Sequence, residues 1–224
     1  MFALRFAALA LCAGVASAGE EAAAERYLGF RDGLDGWEER DFVASTDYRA
    51  VTIEGGPAVR AATDGAASAL YRRSEIDLDA TPYLSWRWRV DGTYGTGNDE
   101  TAKSGDDYPA RVYVVRRGGL AFWRTRALNY VWSSSRPVGS RWPNAYAGEN
   151  VVMLAVDSGD GRAGDWIVHT RDVRADWRAA FGEEIDSLDG VAIMTDGDDT
   201  GSAMRAWFAD IRFLAKPPGG GTNR

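Results

Sequence analysis

Residues 82–90 (PYLSWRWRV) alternate strictly, with Leu84, Trp86, Trp88 and Val90 on one face and Tyr83, Ser85, Arg87 and Arg89 on the other. Side chains along a strand point to opposite faces in turn, so this stretch predicts a strand with an apolar face on a core and an arginine-bearing face outward. Shorter extended runs lie before it at residues 48–54, 58–62 and 68–73 and after it at 110–115 and 127–132, with residues 122–126 extending one of the latter. Gly-Gly-Pro and Asp-Gly signals punctuate the first of these. Residues 150–157 are nearly continuously apolar, and residues 165–170 make another strand.

One stretch has helical spacing. Val173, Trp177 and Phe181 recur at i, i+4 and i+8, Asp172 can cap the N-terminus and Gly182 can stop the C-terminus, which predicts a helix over residues 173–181. Residues 190–214 read as an apolar strand, an acidic loop and a closing alternating strand, a hairpin bent by Gly197 and Gly201. Ten or more short strands, a single helix and no βαβ rhythm predict an all-β fold, a single antiparallel β-sandwich of jelly-roll-like form. A parallel α/β sheet would need helical crossovers that the pattern lacks.

The start of the chain stands apart. Arg5 is its only charge, residues 6–16 are apolar, and Ala16-Ser17-Ala18 is a small-residue cleavage site, which together describe a signal peptide over residues 1–18. The apolar run is too short to span a bilayer, which takes about 20 residues. Leu11, before Cys12, is not the small residue a lipid-anchored cysteine needs. The expected product is exported, periplasmic or secreted, with a flexible lead-in at 19–26, one sandwich domain at 27–215 and a flexible tail at 216–224. The only cysteine, Cys12, leaves with the leader, so the core alone must hold the mature fold.

Charge narrows the partners. The chain carries a net charge of −7, and loss of the leader leaves 25 basic against 33 acidic side chains. Such a balance opposes binding to nucleic acid or an anionic membrane surface. A monomer is expected. Residues 91–108 and 133–148 are loops longer than compact domains usually carry, which marks them as functional or mobile.

The runs DDYPARVYVV (residues 106–115), ALNYVWS (127–133), RDVRADWRAAFG (171–182) and AIMTDGDDTGSAMRAWFADIRF (192–213), in that order, resemble the exported bacterial family called domain of unknown function 3047. The resemblance implies a jelly-roll-like domain behind a signal peptide, and no activity. A looser likeness joins the segment from Phe30 to Trp37 and the closing ADIRF to carbohydrate-binding and galactose-binding-like sandwiches.

Four chemistries compete for the candidate residues. Asp196, Asp198 and Thr200, with Gly201, match positions 1, 3, 5 and 6 of a calcium loop, but position 12 is Trp207 rather than an acid, so a carboxylate such as Asp106 or Asp107 would have to complete the site. The same acids can instead pair with Arg111, Arg171 and Arg205 and order the loops without any ligand. Aromatic residues in or beside the long loops, among them Trp132, Trp142, Tyr94, Tyr108 and Tyr146, suit stacking on sugar faces. Trp132 and Trp142 of these, with Asp107, Arg111, Tyr130, Arg171, Asp196 and Asp198, are the expected ligand-binding set. Finally, Asn129, Tyr130, His169 and Arg111 can be combined as a polysaccharide lyase centre around the only histidine. The leading expectation is a non-catalytic domain, without a required cofactor, that binds a saccharide or similar polar ligand at its long-loop end. A lyase or glycoside hydrolase-like enzyme, and a structural or envelope-interaction protein with no small ligand, stay open.

Overall fold

The computed structural model describes residues 24–118 and 125–219. The leader expected at 1–18, part of the extension expected at 122–126 and the last five residues of the expected tail lie outside the described residues. Two sheets pack face to face. The six-stranded sheet contains β1 (Glu25–Tyr27), β3 (Asp47–Ile53), β4 (Gly56–Asp64), β6 (Tyr83–Val90), β11 (Ile167–Asp172) and β13 (Ala203–Leu214), in the order β11-β6-β13-β4-β3 with β1 also on β13. The seven-stranded sheet contains β2 (Glu38–Val43), β5 (Ala67–Asp77), β7 (Ala110–Arg116), β8 (Arg126–Ser133), β9 (Arg141–Asn144), β10 (Gly148–Ser158) and β12 (Ser187–Met194), in the order β2-β5-β12-β7-β8-β10-β9.

The all-β sandwich expected from the alternation is the fold observed, with one departure from all-antiparallel pairing. Strand β10 runs parallel to β8, because the chain first makes β9 at the sheet edge and then returns between the two. The alternation of β6 is realised: Leu84, Trp86, Trp88 and Val90 are fully buried. Trp86 packs on Tyr130 with ring centroids 5.1 Å apart, and Trp88 faces Trp132 at 6.1 Å, so the aromatic rings of the two sheets meet in the middle. Helix α1 spans Val173–Phe181 as its spacing predicts. The Asp172 carboxylate accepts the Ala175 N–H at 3.0 Å, and Gly182 closes the helix at φ 71°, a conformation that favours glycine.

Two sequence expectations are corrected. The lead-in reaches the sheet: Glu25–Tyr27 pairs antiparallel with Arg212–Leu214, whose free edge offers hydrogen bonds that an isolated segment lacks. Residues 190–214 are not a hairpin. Strand β12 has β5 on one side and β7 on the other, so both of its edges are taken and β13 pairs in the opposite sheet. Residues 195–202 therefore cross from one sheet to the other as a strap.

Candidate functional site

The strap is anchored rather than open. Arg111, on the outer face of β7, donates from Nε to Asp196 Oδ1 at 2.9 Å and from Nη2 to Asp196 Oδ2. Both side chains are buried. Asp196 Oδ1 also accepts the Tyr108 N–H at 3.1 Å. Burial pushes the Asp196 carboxyl up, and the Arg111 guanidinium pulls against it. Asp107 holds the turn, accepting the N–H groups of Thr200 at 2.6 Å and Asp199 at 3.3 Å. Gly197 is required where it stands, since a Cβ there would lie 2.2 Å from the Ser202 carbonyl oxygen.

The two long loops are tied together beside the strap. Glu100 is buried and accepts from Ser133 Oγ and the Ser134 N–H, both at 2.5 Å. Its backbone carbonyl accepts from Trp142 Nε1 and the Tyr108 hydroxyl, both at 3.1 Å. Burial raises the Glu100 carboxyl, as it does that of Asp106, which accepts from Asn144 Nδ2 at 2.7 Å.

The residues expected to bind ligand thus separate. Arg111 and Asp196 satisfy each other, and Asp107 is closed on backbone amides. Trp142 is buried under the loops, and Trp132 lies in the core with its Nε1 on the Gly159 carbonyl. Tyr130 also lies in the core, its hydroxyl 3.2 Å from Asp176 Oδ2, and Arg171 binds the same carboxylate from β11. Of that set Asp198, with the edges of Arg111 and Asp196, lines the cavity beside the strap, and Trp142 lines a separate one against helix α1. The calcium spacing does not assemble either, because Asp196 is engaged by Arg111; the carboxylates that converge within 4.8 Å are Asp107, Asp198 and Asp199. The lyase quartet is divided by the sheet. Asn129 and Arg111 lie on the outer face of the seven-stranded sheet, whereas Tyr130 and His169 pack inside. A bulge after Ala155 turns Asp157 inward, where it accepts from Trp88 Nε1 at 2.8 Å and meets His169 Nε2 at 2.6 Å. His169 is accordingly a packed partner of Asp157, Trp86 and Trp88.

An open concavity lies on the outer face of the seven-stranded sheet, next to the tied loops. Two cavities of about 420 and about 500 Å³ share Phe42, Tyr113 and Val151 and so form one groove. Its floor is low because Ala67, Ala69, Ala127 and Ala192 carry only methyl groups. Phe42 of the edge strand β2 stands on one side, and Tyr146 of the β9–β10 turn on the other. One end is acidic, with Asp106, Asp198 and Asp199. The other carries Arg40, Arg73 and Arg117 beside Asp189. Burial, with Asp199 and Asp107 nearby, raises the Asp198 carboxyl, and the hydrogen bond to Asp199 pushes the Tyr146 hydroxyl to about 12. Phe42 and Arg40 did not stand out in the sequence, because β2 is exposed along its whole length, and Tyr113 sits within the apolar alternation of β7 with no local mark of a site.

Fold and groove together define a two-sheet β-sandwich with a trough across one outer face. The chain belongs to the family described as protein of unknown function (DUF3047), whose model matches residues 35–212. No curated protein matches the chain by sequence. Similar solved structures include a CBM29-2 mutant, a family 29 carbohydrate-binding module, at 9% identity and TM-score 0.42, covering 90% of this chain and 99% of that one. Another, a carbohydrate-binding module of family 29, has 9% identity and TM-score 0.40, covering 86% and 90%. A third, from work on promiscuous specificity of carbohydrate-binding modules of the β-sandwich superfamily, has 12% identity and TM-score 0.44, covering 86% and 63%. Likeness at this level does not bear on what the groove holds. Among the described residues, no helix is long and apolar enough to cross a membrane.

Proposed function

We propose that this chain is an exported, non-catalytic binding domain whose groove on the seven-stranded sheet takes a saccharide. One observation carries the reading. Among the described residues five large hydrophobic side chains are exposed, and three of them, Phe42, Val43 and Tyr146, rim this one groove. Apolar rings held open to water beside polar groups suit a ligand with apolar faces and hydroxyl edges, which is the surface of a sugar ring. The site expected at the long-loop end moves to the neighbouring sheet face, since the loop aromatics Trp142 and Tyr108 are buried by their own hydrogen bonds.

Glycan-array screening of the full chain, followed by calorimetry on each hit, tests the reading. Binding to at least one saccharide, competed by the soluble oligomer, is expected. A complete lack of response across neutral, acidic and amino-sugar probes overturns it. Export is checked by sequencing the N-terminus of the accumulated protein, expected to begin at Gly19.

A further inference from the structure

The acidic end of the groove presents acceptors with few donors to match them. Asn129 is fully buried on the cavity wall, its Nδ2 turned to Met153 Sδ at 3.3 Å and its Oδ1 without a hydrogen-bond partner among the described residues. Carboxylate oxygens of Asp107, Asp198 and Asp199 lie within 4.8 Å of one another; Asp107 is held by backbone amides and Asp199 takes the Tyr146 hydroxyl, which leaves the Asp198 carboxylate without a side-chain donor among the described residues. The Arg111 cation is committed to Asp196, and Lys103 sits over the Tyr146 ring at 4.9 Å. A ligand group seated here must bring protons. A hydroxyl brings one donor, whereas a primary ammonium brings three and a positive charge.

We infer that the groove takes a saccharide bearing a free primary amine, with the ammonium at the end formed by Asn129, Asp198 and Asp199. This names the ligand class of the reading above and rests on it. An N-acetylated sugar would replace the ammonium with a neutral amide and aim a carbonyl at carboxylates. The opposite end sets a limit, because Arg40 and Arg117 have no carboxylate partner among the described residues and would repel a long, uniformly cationic chain. The amine-bearing unit is therefore short.

Calorimetry with the β-1,4-linked glucosamine disaccharide, its N,N′-diacetyl form and cellobiose, each with a chelator and with added calcium, separates the cases. The free-amine disaccharide is expected to bind about tenfold tighter than either comparison sugar. The preference should shrink at high salt and vanish in an Asp198→Asn/Asp199→Asn variant that melts like the parent. Equal binding of all three sugars overturns the inference and leaves the saccharide reading standing. Binding that appears only with calcium also overturns it, in favour of a cation held by the same carboxylates. No binding by these or any other saccharide overturns both.

Discussion

Arg111 and Asp196 form a dry, two-pronged ion pair that joins β7 to the strap between the sheets, with side chains 5% and 2% exposed. Removing one partner strands the other's charge away from water. Asp196→Ala is therefore expected to lose about 3–5 kcal/mol, and Arg111→Ala a similar amount. Chemical denaturation of the single and double variants checks this. The double variant should lose less than the two singles combined, and additive losses would remove the pair from the account.

Phe42 should behave in the opposite way. At 56% exposure it contributes little to the core, so Phe42→Ala should leave stability within about 0.5 kcal/mol of the parent. Affinity for the saccharide should fall about tenfold, in line with the loss of one stacked ring. Parallel melting and calorimetry read the two quantities, and unchanged affinity would take Phe42 out of the site.

Tyr130 and His169 test where the chemistry is not. Tyr130→Phe removes a buried hydrogen bond to Asp176 and should cost about 1 kcal/mol. His169→Ala should destabilise by leaving Asp157 with one fewer partner between the sheets. Neither change should alter binding in the groove, because both residues lie behind the sheet that floors it. A loss of affinity without a loss of stability would reverse that assignment.

Stability should rise as the solution is made mildly acidic. Glu100, Asp106 and Asp198 are all raised, chiefly by burial. A carboxyl with a raised folded-state pKa keeps its proton longer when folded than when unfolded. Its contribution thus weakens as pH rises from the ordinary range of about 4 through the raised value. The exposed Asp47, Asp99, Glu184 and Asp186 are lowered by their partners, and their contribution is lost only below that range. Melting temperature should climb by a few degrees from pH 7 to pH 5 and fall again below about pH 4. A Glu100→Gln variant should flatten the rise, and a steady decline from pH 7 to pH 5 would contradict the assignment.

Legibility followed from how local each signal is. The faces of β6 and both ends of α1 are set by neighbours within a few residues, and both could be read directly. Strand β2 (EERDFV) is exposed along its whole length at a sheet edge, so no burial pattern marks it, and with it went Phe42 and Arg40. The inward turn of Asp157 depends on a bulge that breaks the alternation of β10. Residues 190–214 contain every local mark of a hairpin, and only the pairing of β12 on both edges decides that the chain must cross instead. Pairing of the acids with arginine, weighed against calcium from composition alone, is realised at Arg111 and Asp196. The groove itself could not be read, since its floor is assembled from five strands that are far apart along the chain.

The two ends of the groove are built on unequal foundations. Two of its acids, Asp198 and Asp199, ride on the strap between the sheets, so a substitution that shifts the strap's course at its Asp196 or Asp107 anchors moves them as well. Its arginines at positions 40 and 117 stand on an edge strand and just past the end of β7, where exchange disturbs little. One half of the trough is therefore structurally locked and the other is free to drift. A change of ligand preference would be expected to begin at the arginine end.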